Sequence, residues 1–205
     1  MFVCSAKRGD CDAIYKAVLA EEGAVDINVA SSADGRTPLH AAAAEGHLEA
    51  CLLLTEASGN PAQKDLLGLN PIHYAAKRGS AEVVGILLMQ HRDLINAKAM
   101  GGRTALHFAS ANADHHEVRV FLHICLLHAF KRVPCFFCLE SIFQVVELLL
   151  GMEADVNAVN VQSKTPLLVA AESGAEQSAA LLIACGSDLD AVDAKYQCAP
   201  IHWAA

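Results

Sequence analysis

Apolar residues fall in short bursts at three- and four-residue spacing, divided by polar punctuation. The blocks Leu48 to Glu56, Ala81 to Gln90, Val145 to Leu150 and Glu176 to Ala184 each predict an amphipathic helix of two to three turns. Between them runs a second, shorter kind of helix, typified by Asp34-Gly35-Arg36-Thr37-Pro38-Leu39-His40-Ala41-Ala42-Ala43-Ala44-Glu45-Gly46-His47. Gly35 suits a tight turn, Thr37 can cap a helix by accepting a backbone N–H, and Pro38 fits the first helical position, where no donor is missed. Leu39, Ala42 and Ala43 supply one small apolar face, and Gly46 can close the helix in left-handed geometry. Helices need ~12 residues or more to stand alone in water, so this pattern predicts short helices that hold only by leaning on neighbours.

The neighbours are present as Asn70-Pro71-Ile72-His73, Thr104-Ala105-Leu106-His107, Thr165-Pro166-Leu167-Leu168 and Ala199-Pro200-Ile201-His202. Thr37 to Asn70 is 33 residues, Asn70 to Thr104 is 34 and Thr165 to Ala199 is 34, whereas Thr104 to Thr165 is 61. A period near 33 around a Thr-Pro-Leu-His-x-Ala-Ala core resembles the ankyrin repeat, and the resemblance covers the chain apart from one internal segment. It implies an all-α ankyrin-repeat solenoid of stacked helix-turn-helix units with hairpin loops, in which length counts repeats and not domains. The expected organisation is a single array over 1–205: a capping repeat at 1–31, repeats at 32–64 and 65–98, an interrupted repeat at 99–158, a repeat at 159–192, and a truncated one at 193–205. The first unit places helices at Val3 to Arg8 and Cys11 to Ala20, with Lys7, Arg8, Asp10, Lys16, Glu21 and Glu22 on the water-facing side of an end unit. The last stops inside its first helix, at Ile201-His202-Trp203-Ala204-Ala205, and suggests a truncated chain. Asp26-Ile27-Asn28, Ile95-Asn96, Asp155-Val156-Asn157 and Asp188-Leu189-Asp190 are inter-repeat loops whose Asn and Asp side chains hold loop shape.

The surplus in the long step is 61 − 34 = 27 residues, and it can be located. Joining His115-His116-Glu117 to Val145-Val146-Glu147-Leu148-Leu149-Leu150 restores an ordinary second helix, leaving 118–144 as the extra block. That block holds five of the seven phenylalanines, three cysteines, one acid (Glu140) and Pro134. One reading is a translated intron, since Val codons begin GT and Phe-Gln can be encoded by a pyrimidine-rich tract ending CAG. A second is a real insertion presenting an apolar hairpin to a partner. A third is a metal site built from His115, His116, His123, Cys125, His128, Cys135 and Cys138, although one Cys-x-x-Cys without a second spaced pair is weak support for zinc. Taken locally, the pattern predicts a helix from about His116 to Phe130, a break near Val133-Pro134 and another helix from about Leu139 to Leu150. His123, His128, Lys131, Arg132 and Pro134 interrupt any run of the ~20 apolar residues that a membrane span needs.

Fifteen Lys and Arg against 23 Asp and Glu give a net charge of −8, which argues against a general nucleic-acid footprint. The first ten residues carry no apolar signal core, so a cytoplasmic or nuclear setting with reduced thiols is expected, with Cys51 and Cys185 as small core hydrophobes. No phosphate loop, nucleophile elbow or His-Glu-x-x-His pair occurs, so no catalytic residue, cofactor, metal or small-molecule substrate is assigned. His40, His73, His107 and His202 recur too far apart to share one ion, because adjacent units stack roughly 10 Å apart and zinc ligands lie within ~2.1 Å of the metal. The family resemblance implies instead that this histidine bonds the Thr hydroxyl and neighbouring backbone. The residues after it (Ala41, Tyr74, Phe108, Val169 and Trp203) suit packing between units, a recognition stripe being the other reading.

By the same resemblance, partner contacts come from the hairpins and from the positions after Ala-Ala, on the concave face. These are Asp34, Arg36, Leu67, Leu69, Met100, Arg103, Gln162 and Lys164, with Glu45, Lys77, Arg78, Asn112, Glu172 and Ser173 behind them. Arg36, Lys77, Arg78, Arg103 and Lys164 make this face basic on an acidic chain, which points to an acidic protein or peptide partner. The expected function is a protein-binding scaffold without catalytic activity. The alternative is the targeting segment of a larger enzyme, a kinase or a ubiquitin ligase.

Overall fold

The computed structural model describes residues 2–19, 26–111 and 145–203. These contain eleven α-helices and no strand: α1 (Phe2–Arg8), α2 (Cys11–Leu19), α3 (Pro38–Glu45), α4 (Leu48–Glu56), α5 (Pro71–Arg78), α6 (Ala81–Gln90), α7 (Ala105–Ser110), α8 (Val145–Gly151), α9 (Pro166–Ser173), α10 (Glu176–Ala184) and α11 (Pro200–Trp203). Odd-numbered helices pack on one another in chain order to form an inner layer, and α2, α4, α6, α8 and α10 form a second layer behind them. The chain is thus an all-α solenoid. The helices expected over the extra block, its cysteine and histidine ligand set, Glu21 and Glu22, and Asn112 lie outside the described residues.

The inner layer is thin because its contact positions are small. Ala42, Ala43, Ala75 and Ala76 are fully buried, and Leu39, Ile72, Leu106 and Leu167 fill the space beside them. Each such Leu or Ile contributes about 1.5–3 kcal/mol by leaving water, which offsets the low intrinsic stability of helices only six to eight residues long. Helix ends are set by the residues the sequence marks. Thr37 is extended and accepts from the His40 amide, Pro38 follows it, and Gly46 closes α3 at φ 77°. A Cβ on Gly46 would be strained at that φ and would also strike Ser80 Oγ of the next unit.

Every inner-helix histidine from His40 to His107 sits in the same network. The Thr37 amide donates to His40 Nδ1 at 3.1 Å, the Asn70 amide to His73 Nδ1 at 3.1 Å, and the Thr104 amide to His107 Nδ1 at 3.3 Å. An amide can only donate, so Nδ1 keeps its lone pair and the proton resides on Nε2. Nε2 then donates across the junction, to Leu69 O at 3.1 Å, Ala97 O at 3.0 Å and Lys164 O at 3.0 Å. Burial pushes all three imidazoles toward the neutral form, His73 down to about 4. The capping hydroxyls of Thr37 and Thr104 lie 2.8 and 2.9 Å from Nδ1. Asn70 stands in their place in the third unit, and its Nδ2 is buried with no acceptor in reach.

The loops opposite the hairpins are tied by amide side chains. Asp26, Asp155 and Asp188 each accept the amide two residues on, holding loop shape locally. Asn28, Asn96 and Asn157 reach further: their Oδ1 atoms accept the amides of Asn60 at 2.7 Å, Asp155 at 2.9 Å and Asp188 at 2.8 Å, each in the following loop. At the matching position between the second and third units the residue is Ala62, which has no side-chain oxygen to accept an amide of the next loop. Cys51 is fully buried and burial raises its thiol to about 12, as a core residue should. Cys185 departs from expectation and is exposed, because α10 ends at Ala184 and Cys185 is the cap at which the backbone leaves the helix.

Candidate protein-binding face

The hairpins that precede the inner helices are stitched into one continuous edge. Leu66 N donates to Asp34 O at 3.1 Å, Met100 N to Leu67 O at 3.2 Å, Val161 N to Gly101 O at 3.0 Å and Ala194 N to Gln162 O at 2.9 Å. Within a hairpin the shape comes from one acid or amide at its start. Asp65 Oδ1 accepts the amides of Leu67 at 2.9 Å and Leu69 at 2.8 Å, and Asn160 Oδ1 accepts those of Gln162 at 2.8 Å and Lys164 at 3.0 Å. Asp193 does the same for Lys195, Tyr196 and Cys198. These three residues were not singled out from sequence, although the signal exists as an Asp or Asn six or seven positions before a helix start.

The cations on this face divide into two groups. Arg36 lies half-buried, 3.3 Å from Asp34 Oδ2 and 4.5 Å above the ring of Tyr74 in the next unit. The Tyr74 hydroxyl donates to Asp65 Oδ2 at 2.6 Å, and burial together with that acceptor lifts the phenol to about 12. Lys164 is likewise half-buried, with its ammonium 2.5 Å from Glu172 Oε2 and 5.7 Å from the Trp203 ring centre. Both side chains are therefore engaged within the array, where the sequence suggested free tips. Arg103 is exposed and only skirts Phe108, at 5.8 Å, while Lys77 and Arg78 are exposed at the C-terminal end of α5, where the helix dipole favours positive charge.

Of the other residues proposed from sequence, Leu67, Met100 and Gln162 are exposed, Asp34 is half-buried beside Arg36, and Leu69 packs partly against the core. Glu45, Glu172 and Ser173 are exposed. The residues following the histidines pack between units: Ala41 and Tyr74 are buried, and the rings of Tyr74 and Phe108 meet His40 and His73 edge-on at 5.9 and 5.6 Å. No helix among the described residues is long and apolar enough to cross a membrane.

Comparison with known proteins agrees with this architecture. A family model described as ankyrin repeats (3 copies) matches residues 1–65 and 52–127. The chain is 33% identical over 113 residues to the probable E3 ubiquitin-protein ligase XBOS33 of Oryza sativa subsp. japonica, a stretch covering 55% of this chain and 22% of the ligase. It is 36% identical over 97 residues to human ankyrin repeat domain-containing protein 63, covering 46% of this chain and 25% of that protein. Against NF-kappa-B inhibitor alpha of Sus scrofa the identity is 27% over 162 residues, covering 71% of this chain and 43% of the inhibitor. The chain thus spans less than half the length of each of these relatives.

Proposed function

Since the chain belongs to the ankyrin repeat family, whose arrays are protein-interaction modules, we propose that it is a scaffold that captures an acidic segment of a partner protein on its concave face. The observation that carries this reading is the set of exposed cations Lys77, Arg78 and Arg103 on a chain of net charge −8. Local positive charge on an acidic protein raises the encounter rate with acidic surfaces and rejects basic ones. Arg36 and Lys164 act from behind, as the residues that fix the hairpins against the next unit. No residue of the array is assigned a catalytic role.

The test is affinity capture with the wild-type array and with a Lys77→Glu, Arg78→Glu, Arg103→Glu variant at matched salt. Partners should be lost from the variant and lost from the wild type as salt rises, with thermal stability unchanged. Identical partner sets from both proteins would reject the reading. The similarity to XBOS33 favours a second reading, in which this array is the targeting segment of a larger ubiquitin ligase. Genomic sequence past codon 205 that encodes only further repeats would remove it.

A further inference from the structure

The outer layer carries charge of the opposite sign to the concave face. Helices α4, α6, α8 and α10 contain Glu49, Glu56, Glu82, Glu147 and Glu176 but no Lys or Arg. On α4 two of these acids bracket an apolar residue: Glu49, Leu53 and Glu56 stand at i, i+4 and i+7 and so share one side of the helix. The helix packed beside α4 is α2, whose Cys11 and Tyr15 are likewise four apart. Cys11 Sγ donates to Glu49 Oε2 at 3.8 Å, and Tyr15, Leu53, Glu56 and Ala57 line a cleft of about 160 Å³. The two helices thus form the walls of a groove that is acidic at both ends and apolar between them.

Two features of this groove have no use among the described residues. Tyr15 is 54% exposed next to a fully buried Ile14, so Ile14 closes the core and the Tyr15 ring is left to solvent. Glu56 ends α4, where the helix dipole disfavours a carboxylate, and the last turn holds no cation to offset it. Neither Glu49 nor Glu56 lies within ion-pair distance of a Lys or Arg among the described residues, and Lys16, the cation of α2, is exposed and pairs with neither.

These walls select the chemistry of an occupant. A cleft of this volume takes one side chain about the size of a benzene ring, and the carboxylates to either side of it are met by cations. A cation at the Glu56 end also gains from the Tyr15 ring face and from the C-terminal carbonyls of α4. A helix supplies the set along one stripe, with a cation, an apolar residue and a second cation at i, i+3 or i+4, and i+7. An extended segment would bury its own N–H and C=O groups against side chains that cannot pair with them, whereas a helix satisfies its backbone internally.

We propose that the α2–α4 groove seats a basic amphipathic helix of a partner protein, whose apolar side chain enters the cleft between Tyr15 and Leu53 while Arg or Lys residues one turn to either side meet Glu49 and Glu56. This surface belongs to the layer behind the concave face, shares no residue with it and takes a partner of the opposite charge.

The probe is a fluorescein-labelled peptide of three Arg-Ala-Ala-Leu-Ala-Gln-Ala heptads, with binding to the full chain followed by anisotropy at physiological salt. Saturable binding is expected, at least tenfold tighter than that of three controls: a peptide of the same composition with its arginines on the face opposite the leucines, one with Glu for Arg, and one with a proline in each heptad. Glu49→Gln with Glu56→Gln should weaken binding at least fivefold, as should Tyr15→Ala. The same charge change outside the groove, Glu82→Gln with Glu176→Gln, should alter it less than twofold. All five side chains are exposed, and a melting transition as cooperative as that of wild type verifies folding. No saturable binding, equal binding of the opposite-face or proline peptide, indifference to the Glu49, Glu56 and Tyr15 changes, or an equal loss in the Glu82 and Glu176 variant would overturn the proposal. A chain that sediments as a dimer, and as a monomer after Tyr15→Ala, would also overturn it by assigning the groove to a second copy.

Discussion

Asn70→Thr should stabilise this protein. In the second and fourth units a threonine hydroxyl meets the imidazole at 2.8 and 2.9 Å, whereas Asn70 offers the same cap to the His73 amide at 3.2 Å but leaves Nδ2 buried and unpaired. A buried donor without an acceptor costs about 1–3 kcal/mol, and the hydroxyl–imidazole bond adds about 0.5–1.5. Asparagine is the better intrinsic cap by a few tenths, so a net gain of about 1–4 kcal/mol remains. For a chain of this length that is a rise of about 2–16 °C in melting temperature. Urea denaturation followed by circular dichroism should show a higher midpoint at unchanged slope. The reciprocal change, Thr104→Asn, installs the orphan amide in the fourth unit and should lower the midpoint by a similar amount. An Asn70→Thr protein no more stable than wild type, or a Thr104→Asn protein no weaker, would refute the assignment of that cost to Nδ2.

Acid should weaken the array well before its carboxylates titrate. His73 has a folded value of about 4 against about 6.5 unfolded, so the unfolded chain alone takes up the proton as pH falls between them, at a cost of about 3 kcal/mol by pH 4, with His40 and His107 acting in the same direction. Above pH 6.5 this effect is absent, and urea midpoints that stay flat from pH 7 to 5 would contradict it. Arg36→Ala should cost about 1 kcal/mol through its contact with Tyr74, while Arg103→Ala should stay within about 0.5, and parallel denaturation curves separate the two. Deleting 118–144 should leave stability equal or higher, because α7 and α8 already pack together and the fourth unit is closed by the Asn96–Asp155 and His107–Lys164 bonds. It would join His115-His116-Glu117 to α8 as a helix of the length of α6, and a lower melting temperature would show the block to be a working part of the fold.

The helix layout was legible because the second, third and fifth units write their own boundaries in residues with one physical use: Thr or Asn at the cap, Pro after it, Gly at the end. The neutral His network was legible only through the family resemblance, since its acceptors, Leu69 O, Ala97 O and Lys164 O, belong to the next unit and are backbone atoms with no sequence signature. The candidate face was legible in part. Sequence identified its cations but could not separate Arg103 from Arg36 and Lys164, because what buries the latter two is an aromatic ring some 38 residues onward, as from Arg36 to Tyr74.

The missing side-chain acceptor at Ala62 has a mechanical meaning. Tension applied at the two ends of such an array is borne in series by its junctions, and the first to part is the one with fewest bonds across it. Among the junctions between the first five units, three carry an asparagine clasp on the loop side, and the one between the second and third units has there the exposed Lys64–Lys98 contact instead. Under load the loop side of that junction should therefore open first, splaying α4 from α6 while His40–Leu69 and Leu66–Asp34 still hold the hairpin side.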